Sequence, residues 1–102
     1  MLSLRLKTVA ALVPFGARVC DIGTDHARLP IYLIQNGIAK SVIAADLREK
    51  PLEKARENIR LAGVLGIDTR LCNGFDGIGA EEFDAAVISG IGGEVISGII
   101  DR

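Results

Sequence analysis

Asp21, Gly23, Asp25 and His26 fall within six residues, Asp21-Ile22-Gly23-Thr24-Asp25-His26, and Asp46 follows 23 positions after Gly23. Carboxylates attract cations and accept hydrogen bonds from hydroxyls, and a glycine among them lets a ligand approach the backbone where a Cβ would collide. An apolar run over residues 17–22 leads into this segment, and a helical pattern starts at Ala27. Strand, turn and helix N-terminus in that order are where open α/β sheets hold nucleotide-like ligands. A dinucleotide site reads G-x-G-x-x-G, but the positions two and five after Gly23 are Asp25 and Arg28. A carboxylate thus stands where a pyrophosphate needs backbone amides. That disfavours NAD and favours a positively charged ligand such as S-adenosylmethionine, which carries an ammonium and a sulfonium. The competing reading is a plain strand-to-helix connection in which Thr24 or Asp25 caps the helix. Asp46 ends the apolar segment 41–46, near the roughly 20-residue offset at which a second-strand acid meets ribose hydroxyls. It also fits a helix cap.

These residues need elements to position them. Leu2, Leu6, Val9, Ala10 and Val13 recur at helical spacing, with Ser3 as cap and Pro14 as stop. Arg5, Lys7 and Thr8 lie on that helix's polar face, toward substrate or water. Further helices are predicted over 27–35, with Pro30 in its first turn and Asn36-Gly37 closing it, and over 51–62, ending near Gly63. A short strand over 66–71 leads to Asn73, whose amide both donates and accepts. Asn73 suits an adenine edge or an ordinary Asn-Gly turn. A fourth strand is predicted over 83–89, then the glycine-rich loop Gly90-Ile91-Gly92-Gly93 and a helix over 94–101. The alternation predicts an α/β fold: a partial parallel sheet in the order 3-2-1-4, an N-terminal helix, and a ligand crevice between strands one and four.

A chain of 102 residues, 49% hydrophobic, is one globular domain at most. No apolar run is long enough to span a bilayer, and residues 1–7 lack a signal peptide's apolar core, so a cytoplasmic protein without membrane association is expected. Cys20 and Cys72 sit in apolar patterns without metal-ligand spacing, so they read as buried reduced thiols and no metal is expected. The net charge of -1 hides an asymmetry: residues 1–60 carry ten Lys or Arg against six acids, residues 61–102 two against seven. The basic half suits RNA or is simply the solvated face of a helix bearing Lys50, Lys54, Arg56 and Arg60.

Three segments, Leu2-Ser3-Leu4-Arg5-Leu6, Asp21-Ile22-Gly23-Thr24-Asp25-His26-Ala27-Arg28-Leu29-Pro30 and Ser89-Gly90-Ile91-Gly92-Gly93, resemble the bacterial tRNA (adenine(22)-N1)-methyltransferase family. The resemblance covers essentially the whole chain. It implies a Rossmann-like class I methyltransferase fold and S-adenosyl-L-methionine-dependent methylation of adenine N1 in tRNA. It also implies that Asp21 and Gly23 line the cofactor's methionine end, that Asp46 with Leu47 holds the ribose, and that Asn73, Gly74 and Phe75 flank its adenine. Asp25 and His26 would be catalytic, bordering the methyl-transfer centre with the loop 89–93. In that loop Ser89 and Gly90 would face the cofactor, and Gly92 and Gly93 the substrate together with Arg5 and Arg28. The chain departs from the family at Asn73, usually aspartate, and at Arg28, usually aromatic. Family members continue into further strands and a C-terminal helical region. The expectation is therefore a partial cofactor-binding domain over 1–102, whose fourth strand exposes an edge that a homo-oligomer would cover.

Adenine N1 needs no prior deprotonation but lies on the pairing edge, so the base must be unpaired or flipped out. Asp25 would stabilise the cationic product or accept from the adenine amine, and His26, the only histidine, would shuttle a proton or order the loop. A non-catalytic RNA-binding or assembly module and an NAD-dependent oxidoreductase are the alternatives, as is a methyltransferase with another substrate.

Overall fold

In the computed structural model, which describes residues 2–88 and the backbone of 94–97, helices and strands alternate. The order is α1 (Leu4–Ala11), β1 (Ala17–Ile22), α2 (Arg28–Gln35), β2 (Ala39–Asp46), α3 (Glu49–Ala62), β3 (Ile67–Leu71), a 3₁₀ turn (Ala80–Glu82), β4 (Ala85–Ile88) and β5 (Glu94–Ser97). The boundaries follow local chemistry. Ser3 Oγ accepts from the Leu6 amide at 3.2 Å and starts α1, and Gly63, at φ 68°, closes α3 in the left-handed conformation that glycine tolerates. Pro30 and Pro51 occupy first helical turns, where no amide donor is needed.

The sheet order is β3-β2-β1-β4-β5. The first four strands are mutually parallel in the expected order, and Ile22 stands level with Ala45 on β2 and Ile88 on β4. The carboxyl ends of the three central strands therefore form one rim. Beyond β4 the outcome differs from the sequence reading. Residues 94–97 form a strand antiparallel to β4, Ala85 opposite Ser97 and Ile88 opposite Glu94, and not the start of a helix. Val95 and Ile96 are β-branched and suit a strand, and β4 offers backbone groups that need partners. The edge of β4 is thus paired, which removes the unpaired ladder through which a homo-oligomer was expected to form.

Val19, Val42, Ala85 and Val87 pack on one face of the sheet with Val9 and Ala10 of α1 and Leu29 and Leu33 of α2. Cys20, Ile43 and Ala86, the alternate positions, form a second cluster with Phe83. Ala27, Leu52 and Ala55 join the start of α2 to α3. Among the described residues no helix is long and apolar enough to cross a membrane.

Charged clamps fix the rim opposite the carboxyl ends and the turn before β4. Arg18 of β1 holds Asp84 through Nε at 3.1 Å and Nη2 at 2.8 Å, and its own amide also donates to Asp84 Oδ2 at 2.9 Å. Arg70 of β3 grips Glu82 through two nitrogens at 2.9 and 2.6 Å, and the Gly79 amide adds a third donor at 2.8 Å. The Arg70 contact first, then the Gly79 amide, hold the Glu82 carboxyl down at about 2 against an ordinary 4.5. A lowered folded pKa contributes stability above the unfolded value, and that stability is lost as pH falls through the folded one. Urea unfolding should therefore show wild type more stable than Glu82→Gln at neutral pH. The gap should close between pH 4.5 and about 2.

Candidate functional site

The segment from Gly23 to Ala27 leaves β1 in an unusual backbone conformation. Gly23 has φ 72°, and two residues with side chains, Asp25 at 59° and Ala27 at 62°, are also left-handed. Each left-handed non-glycine residue costs about 1 kcal/mol, so the surrounding structure must impose the shape. It does so from the neighbouring strand. The amides of Gly23 and Thr24 both donate to the Ala45 carbonyl at 2.9 Å. The Asp46 carboxylate accepts from the Asp25 amide at 3.0 Å through Oδ2 and from the Arg48 amide at 3.1 Å through Oδ1. From the other side, Asn58 of α3 donates to the His26 carbonyl at 2.9 Å.

A cavity of about 530 Å³ opens over this turn, in the size range of small-molecule sites. Gly23, Asp25, His26, Arg28 and Asp46 line it, and Arg5 reaches it from the first turn of α1. Of the residues singled out from the sequence, these six are brought together. Asp21 is fully buried, accepts from Thr24 Oγ1 at 2.9 Å, and supports the turn without joining the lining. Leu47 is exposed beside Asp46. Asn73 and Gly74 lie in the turn after β3, where Phe75 stacks on Phe83 with ring centroids 5.9 Å apart, and none of the three lines the cavity. Ser89, Gly90, Gly92 and Gly93 lie outside the described residues. The cavity sits over the ends of β1 and β2 beside α1, and the loop after β4 that would border the expected β1–β4 crevice lies outside the described residues.

The lining is less acidic than the sequence implied. Ser3, Leu6, Thr24, Leu29 and Arg48 join it, so Arg5, Arg28 and Arg48 face the same space as Asp25 and Asp46. Arg48 was not singled out, although its place two residues after Asp46 is a signal that could have marked it. Ser3 and Leu6 carry no such signal, since only packing puts α1 over the rim. Such a lining suits a ligand with charges of both signs. Asp46 is largely buried, and each of its oxygens accepts one amide and retains a lone pair for a hydroxyl. Arg28 Nη2 lies 3.4 Å from His26 Nδ1. A guanidinium only donates, so Nδ1 is the acceptor in that contact and the proton of a neutral ring belongs on Nε2, 3.8 Å from Asp25 Oδ1. Cys20 is no nucleophile, because burial, then the nearby Asp21 charge, push its thiol up to about 12. Burial likewise raises Cys72. Among the described residues no group of three or more His, Cys, Asp or Glu could hold a metal ion.

The comparisons with known proteins fit this geometry. A family model described as a methyltransferase domain matches residues 2–102. The tRNA (adenine(22)-N(1))-methyltransferase of Bacillus subtilis (strain 168) is 39% identical over 101 residues, covering 98% of this chain and 42% of that protein. The structure of M. capricolum TrmK in complex with S-adenosyl-homocysteine superposes with a TM-score of 0.71 at 48% identity, over 74% of this chain and 34% of that one. Streptococcus pneumoniae Sp1610 in complex with S-adenosyl-L-methionine gives a TM-score of 0.80 at 38% identity, over 84% and 41%. The chain thus spans less than half the length of these relatives. With a Rossmann-like sheet, a cavity over the turn after β1 and a family match over nearly its whole length, the chain belongs to the methyltransferase domain family.

Proposed function

We propose that this chain is the cofactor-binding part of an S-adenosyl-L-methionine-dependent methyltransferase that methylates N1 of an adenine in tRNA. The observation that carries the reading is the Gly23 to Ala27 turn, held open over the cavity by Asp46 and Ala45. Support for the substrate comes from the relative that matches 98% of the chain. A tRNA substrate implies work in the cytoplasm.

The residues present fit the cofactor. Gly23 leaves room for close approach, Asp46 has acceptor capacity for ribose hydroxyls, and Asp25 lies near enough to favour a cationic centre. Asp21 acts through Thr24, as a positioning residue. Leu47 and the segment 73–75, next to the ends of β2 and β3, would border the ribose and adenine, and the loop 89–93 would complete the methyl-transfer centre. When bound, the cofactor supplies an electrophilic methyl group on sulfur. Because adenine N1 carries an in-plane lone pair, none of the chain's residues would have to remove a proton for it to be methylated. The chain's task is then alignment, which supplies much of the rate in such displacements. Asp25 would stabilise the methylated, cationic base, Arg5 and Arg28 would hold the substrate, and His26 would order the wall between them.

Calorimetric titration with S-adenosylhomocysteine should give one site per chain. In the complete reading frame, methyl transfer to a tRNA transcript should vanish when the target adenine is already methylated at N1. A correctly folded chain that takes up no S-adenosylhomocysteine would remove the cofactor assignment and, with it, the enzyme.

A further inference from the structure

Behind the turn, bordered by residues of α1, α2 and α3, lies a second hollow of about 610 Å³. Lys7 of α1, His26 and Arg28, Tyr32 and Gln35 of α2, and Asn58 of α3 are among its lining. Positions 28, 32 and 35 form one face of a helix, so the hollow runs along α2. It shares His26 and Arg28 with the first cavity, and these two side chains form the wall between them. The two spaces differ in charge. The first contains Asp25 and Asp46, whereas no carboxylate lines the second among the described residues. Lys7 and Arg28 have no carboxylate partner among the described residues; the same holds for Arg5 and Arg48 of the first cavity, but Lys7 and Arg28 share a hollow whose described lining holds no acid. A concave lining that carries charge of one sign raises the local concentration of an anion.

We propose that this second hollow receives the phosphodiester backbone of an unpaired RNA strand, immediately beside the base that enters the first cavity. The inference rests on the reading of the chain as an RNA-methylating enzyme and adds the path by which the strand approaches. Lys7 and Arg28 meet phosphate oxygens, the amide of Gln35 reaches ribose or base edges, and the half-buried ring of Tyr32 gives a flat apolar surface for a neighbouring base. A single strand fits better than a duplex, because the target N1 is accessible only when its pairing is broken.

The test is a salt series of tRNA binding by the wild-type chain, Lys7→Glu and Lys7→Gln, alongside S-adenosylhomocysteine calorimetry. Lys7 is exposed and its side chain makes no ion pair among the described residues, and the Gln variant removes its charge without adding an acid. Lys7→Glu should weaken tRNA binding about tenfold, and each variant should lower the slope of log K against log salt by about one phosphate contact. S-adenosylhomocysteine affinity should stay unchanged in both. Unchanged tRNA affinity and slope in both variants would overturn the proposal, as would a wild-type chain that binds S-adenosylhomocysteine but not tRNA. Failure to bind S-adenosylhomocysteine at all would count instead against the enzyme reading.

Discussion

Asp46→Ala should destabilise the fold by about 2–4 kcal/mol and weaken S-adenosylhomocysteine binding about tenfold to a hundredfold. Hydrogen bonds to a charged group contribute about 1.5–3 kcal/mol each, less where water can take over, as at the partly exposed Arg48 amide. The Asp25 amide is the costlier loss, because its bond holds a left-handed residue in place. Asp46→Asn keeps one acceptor oxygen, and its stability should fall between wild type and alanine. Binding should weaken in both variants, since the amide's NH₂ faces an amide or a ribose hydroxyl with a donor where an acceptor is required. Urea unfolding gives the first quantity and calorimetry the second. A stable Asp46→Ala protein with undiminished affinity would show that Asp46 neither shapes the turn nor touches the ligand.

Gly23→Val should separate folding from binding more sharply. A β-branched side chain at φ 72° costs on the order of 2 kcal/mol, which the fold can survive. The ligand cannot accommodate it, because Gly23 lines the cavity and a branched side chain there takes the space of close approach. The expected result is a cooperative unfolding transition at reduced denaturant concentration, with affinity for S-adenosylhomocysteine down at least a hundredfold. Gly23→Ala should lie between. If both variants bind as wild type does, the cavity over the turn is not the cofactor site.

How far the sequence disclosed all this depended on the range of the forces involved. The β1 turn, the acid at the end of β2 and the order of the four parallel strands were legible because each is written in contiguous residues: apolar runs, Gly23, Asp46 and glycine or asparagine at helix ends. The strand at 94–97 was not, because a β-branched pair in so short a segment after a glycine-rich loop does not by itself fix a strand, and the pairing with β4 does. Of the arginines in the lining, Arg5 and Arg28 were expected there and Arg48 was not. Arg5 and Arg48 are 43 residues apart, and only the packing of α1 over the rim brings them to one lining. The amide partners of Asp46 were equally hidden. Its sequence position suits a ribose or a cap, and the fold gives it amide partners on two segments while leaving lone pairs for a ligand.

The suspension of the Gly23 to Ala27 turn from β2 on one side and α3 on the other has a thermodynamic corollary. A conformation dictated by two distant stretches of chain cannot survive excision: a peptide spanning residues 17–35 would relax and lose all recognition. Ligand occupancy and global order are consequently one equilibrium in this molecule. Saturation at a hundred times the dissociation constant should raise resistance to unfolding of the entire domain by about 2.7 kcal/mol, and hydrogen exchange should slow in β2 and α3 as well as at the contact surface.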